Sequence, residues 1–141
     1  MNYFNEAKKI FSINKDIKFI AFKNNKIIYT SKEGGISTVL NLYKNNREIL
    51  EDAFIADRIV GYSVAILIKS YAVGVYAEII NDKAYKFLIN NGINVKYTEK
   101  VPCILNYNYT DKCPIEKKID NVENVDEMIL ILDKFINKDK K

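Results

Sequence analysis

The spacing of apolar positions changes twice in the first third of the chain. Apolar side chains recur at intervals of three and four residues from Tyr3 to Ile13, which predicts a helix. The segments 17–22 and 26–30 are rich in β-forming residues and flank Asn24-Asn25, residue types that tolerate the positive φ angles of a tight turn. Helical spacing resumes after Gly34-Gly35. We therefore predict a helix, an antiparallel hairpin and a second helix.

The middle of the chain, from Ala53 to Tyr71, consists mostly of apolar residues and is interrupted by Asp57-Arg58. A segment of this length that is apolar on every side is typical of a buried helix, with Asp57 as its N-cap. The next segments predict a strand over 73–80, a helix over 82–91 and a strand over 93–97. Strand, helix and strand at this spacing indicate a parallel pair joined by a crossover helix.

Apolar positions between Val122 and Ile136 keep a helical stripe beside acidic residues, which predicts a surface helix that packs one face. Together these elements predict an α/β fold, a three-layer α/β/α sandwich. Its sheet is mixed, with an N-terminal antiparallel hairpin and a parallel βαβ unit. The 141 residues suit one domain, which we place at 1–137, followed by a basic tail at 138–141.

Composition removes many familiar kinds of site. The chain has no histidine, so it cannot hold a Ser/His/Asp or Cys/His catalytic pair, an HExxH zinc site, or the His/Cys/Cys zinc site of nucleotide deaminases. Its five glycines form neither the GxGxxG pattern nor the GxxxxGK[ST] phosphate loop. Ordinary dinucleotide and P-loop sites are therefore unsupported as well.

The net charge of +4 does not indicate a nucleic-acid partner, because about half of it comes from the last five residues. The remaining basic residues are scattered among acids, which is typical of a solvated surface. The chain shows neither a targeting segment at its start nor an apolar run of transmembrane length. We expect a cytoplasmic protein with no membrane or nucleic-acid partner, in which Cys103 and Cys113 are reduced.

Several motifs together carry a resemblance to a known family. They are Ala56-Asp57-Arg58-Ile59-Val60-Gly61, Tyr76-Ala77-Glu78-Ile79-Ile80, Val101-Pro102-Cys103-Ile104-Leu105-Asn106 and Cys113-Pro114-Ile115-Glu116. Over residues 3–119 the chain resembles a small bacterial family catalogued as a domain of unknown function and placed in the cytidine deaminase-like superfamily. The resemblance implies that fold but carries no established activity.

The chain departs from true deaminases where their metal ligands lie. In the zinc enzymes the buried helix opens with His-x-Glu or Cys-x-Glu, and the next helix opens with Pro-Cys-x-x-Cys. Here the corresponding positions are predicted to be Asp57-Arg58-Ile59 and Asn81-Asp82-Lys83-Ala84, which supply neither His nor Cys. We therefore expect no zinc-dependent deamination and no cofactor, and the sequence leaves open whether the protein is an enzyme.

Two helix N-termini are predicted to converge at one edge of the sheet, where polar or anionic ligands bind. At the first, Arg58 would hold a phosphate or carboxylate, Asp57 would accept from a hydroxyl, and Gly61 would let a ligand approach closely. At the second lie Asn81 and Asp82. The alternative interpretation is structural: Asp57, Asn81 and Asp82 cap helices, and Gly61 is a packing glycine.

The segment Cys113-Pro114-Ile115-Glu116 has the form of a helix start, with Pro at the first helical position. A thiol at such a cap has a lowered pKa and can act as a nucleophile without histidine. The alternative is a buried small side chain that begins a short helix. Asn106 and Glu116 are further candidates to line the same edge.

Three functional hypotheses follow. We favour a zinc-independent binder of a nucleotide-like molecule that bears phosphate or ribose. The second hypothesis is a non-catalytic scaffold or homo-oligomeric interaction protein, suggested by ten tyrosines and an asparagine-rich exterior. The third is an enzyme with Cys113 as its nucleophile and Asp57 in the same catalytic site.

Overall fold

A five-stranded mixed sheet forms the centre of the structure, a computed structural model that describes residues 2–34, 36–102 and 121–138. The described helices are α1 (Tyr3–Ile13), α2 (Ile36–Asn45), α3 (Tyr62–Ile68), α4 (Asp82–Asn90) and α5 (Val125–Lys138). The strands are β1 (Phe19–Lys23), β2 (Lys26–Ser31), β3 (Phe54–Val60), β4 (Gly74–Asn81) and β5 (Asn94–Val101). They lie in the order β2-β1-β3-β4-β5; β1 is antiparallel to both of its neighbours, and β3, β4 and β5 are parallel.

The predicted first helix and hairpin are confirmed. Strands β1 and β2 are joined by Asn24-Asn25, whose φ angles of 55° and 61° are those of the type I′ turn that two-residue hairpins favour. The hydroxyl of Tyr3 in α1 accepts a hydrogen bond of 2.7 Å from the backbone N–H of Asn25. This bond attaches the start of α1 to the turn.

The predicted parallel βαβ unit is also confirmed, as β4, α4 and β5. Helix α4 begins after Asn81, whose side-chain oxygen accepts a hydrogen bond of 2.9 Å from the N–H of Ala84. Shortly after α4, Gly92 has a φ of +79°, a value that favours glycine. The capping role that the sequence suggested for Asn81 is therefore present.

The prediction of one buried helix from Ala53 to Tyr71 is wrong. The segment forms strand β3 over Phe54–Val60 and the short helix α3 over Tyr62–Ile68. A continuous apolar run is compatible with a buried helix or with a strand that is buried on both faces, and β3 lies between two other strands in a sheet covered on both sides. As a consequence Asp57 is not an N-cap: it lies within β3, and Gly61 is the N-cap of α3, with no side-chain cap.

Helices cover both faces of the sheet unequally. Alternate side chains of β1 enter two separate cores, with Phe19 and Ala21 in one, Ile20 and Phe22 in the other. Of the helices in the described residues, α1 is the one that packs on the second face, through Ala7 and Phe11. Helices α2, α3, α4 and α5 supply the first core. The prediction of a mixed α/β fold with helices around one sheet is thus confirmed, and no helix in the described part of the chain is long and apolar enough to span a membrane.

Candidate functional site

Three strand-to-helix connections lie at one edge of the sheet. Strand β2 runs in the same direction as β3, because each is antiparallel to β1. Strands β2, β3 and β4 therefore end at the same edge, and α2, α3 and α4 begin there. We call this the carboxyl edge. It is the place where α/β folds commonly bind ligands, because loops and helix N–H groups are exposed there.

Asp57 lies beneath the start of α2. Its residue is completely buried, and in β3 it stands between Phe19 of β1 and Ala77 of β4. A Cβ atom added to Gly34 would lie 3.3 Å from Asp57 Oδ1 and 2.9 Å from Lys18 Cβ. The second distance is shorter than real Cβ contacts allow, so this approach of chain segments requires glycine at position 34.

The connection between β2 and α2 is held by its own side chains. The Ser31 hydroxyl accepts a hydrogen bond of 3.0 Å from the N–H of Glu33, and the Thr38 hydroxyl donates to the Glu33 carbonyl. The N–H of Lys18 donates to the Ser31 carbonyl at 2.9 Å. These bonds fix the path of the chain into α2. The sequence contained a signal for this structure in Gly34-Gly35, which we interpreted only as a break between elements.

Arg58 does not belong to the carboxyl-edge site. Its guanidinium donates to the carbonyls of Ile17 at 2.9 Å, Phe11 at 3.1 Å and Asn14 at 3.0 Å, and it pairs with Glu78. The same group lies 4.4 Å from the centre of the Phe11 ring. It therefore fastens the end of α1 to the sheet, on the face opposite the α2 layer, and its N–H groups have protein partners there.

The start of α4 carries a cluster of charged groups at this edge. Asp82 is paired with Lys86 at 2.9 Å and lies 3.5 Å from Lys100. The hydrogen bond from Lys86, followed by the charges of Lys86 and Lys100, lowers the pKa of Asp82, while its partial burial acts in the opposite direction. Asp82 is therefore ionised at neutral pH, and its carboxylate accepts hydrogen bonds.

The start of α3 lies between those of α2 and α4. Gly61, which falls inside the predicted helix over Ala53–Tyr71, is instead the N-cap of α3, and Tyr62 follows as a buried residue. The ring of Tyr62 packs edge-on against Phe87, and the Lys83 ammonium lies 4.2 Å from its centre. Burial, followed by the charge of Glu123, raises the pKa of Tyr62. At this part of the edge the ammonium of Lys83 lies over a buried aromatic ring.

The structure thus brings together part of the predicted site. Gly61, Asn81 and Asp82 lie at the carboxyl edge, and Asp57 lies beneath it. Cys113, Asn106 and Glu116, and also Cys103, lie outside the described residues. Within the described ranges no three His, Cys, Asp or Glu side chains come close enough to hold a metal ion.

Residues 6–136 match the TM1506 family, a domain of unknown function (DUF1893). This chain belongs to the DUF1893 family. Among solved structures, it is similar to the crystal structure of a DUF1893 family protein (TM1506) from Thermotoga maritima, with 26% identity and a TM-score of 0.77. The match covers 94% of this chain and 89% of that one. Comparison with curated proteins gives no significant match.

Membership in DUF1893 confirms that the chain resembles a family of unknown function. The structural similarity extends over most of both DUF1893 chains. The family description names no ligand and no reaction. The function of this DUF1893 protein must therefore be argued from its own residues.

Proposed function

We propose that this DUF1893 protein binds a small molecule bearing phosphate or ribose at the carboxyl edge, with nucleotides as the best-fitting class. In this proposal the fold is cytidine deaminase-like, but the site lacks the zinc ligands of that superfamily. The observation that carries it is the arrangement of α2 and α4, which both begin at this edge, with the buried Asp57 beneath the first. Neither helix start includes a histidine or cysteine.

The chemistry of the edge fits both parts of a nucleotide. Helix N–H groups at the start of α2 favour an anion. At the start of α4 the Ala84 N–H is capped by Asn81, and the positive charge comes from the ammonium groups of Lys83 and Lys100. The ionised carboxylate of Asp82 is an acceptor for the hydroxyl groups of a ribose. The buried ring of Tyr62 packs against Phe87 and supports this part of the edge from within.

Asp57 has a different role in this proposal from the one its sequence position suggested. Because the residue is completely buried, its carboxylate lies beneath the site and does not meet the ligand. Its closeness to Gly34 makes it a positioning residue for the β2–α2 connection. We expect its replacement to change the shape of the site through α2.

Nucleotide binding is tested by isothermal titration and thermal shift with nucleoside mono- and diphosphates, the parent nucleosides and inorganic phosphate. We expect saturable binding of nucleotides, and about five- to tenfold weaker binding by Lys83→Met or Lys100→Met, since each removes one cation at the edge. Lys26→Met is the matched control, because Lys26 is exposed at the hairpin on the opposite side of the sheet.

Two results would overturn the proposal. The first is that no nucleotide raises the melting temperature or gives a binding isotherm. The second is that Lys26→Met weakens binding as much as Lys83→Met does, which would show attraction by the overall charge instead of by this edge.

Cys113 stays the candidate for an enzymatic function. Its predicted position at a helix start lies outside the described residues, so reactivity must be measured directly. Selective alkylation of Cys113 over Cys103 near neutral pH supports a nucleophile, and equally slow alkylation of both excludes it.

A further inference from the structure

A second concave surface lies at the other edge of the sheet, where β3, β4 and β5 begin. It consists of two grooves of about 530 Å³ and 260 Å³ that share Phe4 and Lys96 as lining residues. The larger groove has the volume of an ordinary small-molecule site. We call the two together the α1–β5 groove, since α1 and β5 form its two sides.

The α1–β5 groove has an aromatic wall. The ring of Phe4 packs edge-on against Phe54, with 4.7 Å between ring centres and an angle of 88°. The Lys96 ammonium lies 4.7 Å from the centre of the Phe4 ring. Opposite, Gly74 must lack a side chain, because a Cβ atom there would lie 2.7 Å from Cδ2 of Phe54. The groove is therefore open beside a fixed aromatic cluster.

The charge of the α1–β5 groove has a single sign. Lys8 and Lys96 line it, and none of its lining residues in the described ranges is acidic. Both lysines are exposed, and neither has a carboxylate partner among the residues that the structure describes. Asn5 and Asn94 add amide groups to the same lining. Elsewhere on the described surface, Lys44, Lys86 and Lys100 are paired with aspartates.

We propose that the α1–β5 groove binds an organic anion that carries a planar aromatic ring. The ring packs against Phe4, the acidic group is attracted by Lys8 and Lys96, and Asn94 offers a hydrogen bond to polar substituents. This site lies at the opposite edge of the sheet from the carboxyl edge and does not depend on nucleotide binding there.

The test is an NMR titration of the full chain with 2-naphthalenesulfonate, with 2-naphthylmethylammonium as the matched cation. We expect saturable shifts of the backbone amides of Phe4, Lys8, Gly74 and residues 94–97 with the sulfonate, and none with the ammonium compound. Lys8→Met and Lys96→Met should each weaken binding about fivefold, the effect of one exposed charge.

Lys100→Met is the control, because Lys100 lies in the same strand at the far end and pairs with Asp82. It should leave sulfonate binding unchanged while weakening nucleotide binding, so the two proposals fail separately. The inference is overturned if the sulfonate does not saturate, if the ammonium compound binds equally well, or if Lys100→Met weakens sulfonate binding as much as Lys96→Met. Phe4→Leu tests the aromatic wall, because it should weaken binding of the sulfonate. If Phe4→Leu does not fold, the result with Lys8→Met is decisive.

Discussion

Asp57 and Arg58 are neighbours in the sequence but act on opposite faces of the sheet. Successive side chains of a strand point in opposite directions, so Asp57 lies beneath α2 while Arg58 reaches the end of α1. Arg58 satisfies carbonyl groups at a helix C-terminus, where positive charge is favourable. Two residues whose sequence positions suggested one ligand-binding site therefore lie on opposite faces of the sheet.

We expect Arg58→Met to lower the free energy of unfolding by about 3 kcal/mol. The substitution removes a partly buried guanidinium, and the carbonyl groups that accepted its hydrogen bonds are left unsatisfied. Urea denaturation measures this change. Arg47→Met is the matched control, since Arg47 is exposed and lies over Tyr43 at 4.1 Å, and it should cost about 1 kcal/mol or less. Equal losses in the two variants would contradict the assigned role of Arg58, as would weakened nucleotide binding by folded Arg58→Met.

At the scale of elements, the strand-to-helix connections determine the geometry of the carboxyl edge. Helix α4 begins at a buried asparagine cap, whereas α3 begins at Gly61 without a side-chain cap. The start of α3 is instead held by packing, because every residue from Tyr62 to Ile68 is buried. Local sequence signals are therefore strong at α4 and weak at α3, which is where our prediction failed.

Asn81→Ala should lower the free energy of unfolding by about 1–2 kcal/mol, because it removes the acceptor for the Ala84 N–H at a buried cap. Asn2→Ala is the matched control: Asn2 caps α1 through the same kind of bond to the Asn5 N–H at 3.1 Å, but at the surface. Its loss should cost about 0.5 kcal/mol, since water replaces the exposed bond. Denaturant titration compares the two, and a larger cost for Asn2→Ala would contradict the argument.

At the scale of the whole molecule, stability should change with pH at both ends of the range. The pKa of Asp82 is lowered in the folded state, so its stabilising effect is present above the ordinary carboxyl range and is lost as the pH falls through the folded value. The pKa of Tyr62 is raised by burial, so its contribution is complete below about pH 10 and is lost as the pH rises through the higher folded value.

We expect Asp82→Asn to make the acid side of the stability–pH curve shallower and to leave the alkaline side unchanged. Tyr62→Phe should do the reverse, and each variant is therefore the control for the other. In Tyr62→Phe, the loss of stability at alkaline pH should be reduced but not abolished, because burial and the neighbouring Tyr71 also raise the pKa of Tyr43. Chemical denaturation across the pH range measures both sides, and a change on the wrong side in either variant would contradict the assignment.

The sequence alone determined the parts of this protein that depend on near neighbours in the chain. The spacing of apolar residues in α1, the Asn24-Asn25 turn and the Asn81 cap are local, and each was predicted correctly. The lack of histidine is likewise a property of composition. Only the tertiary structure decided that the run containing Asp57 is a strand and a helix, because burial on both sides depends on β1, β4 and the helices that cover them. The carboxyl edge and the α1–β5 groove were decided in the same way, since each joins residues from distant segments that meet only when the sheet has formed.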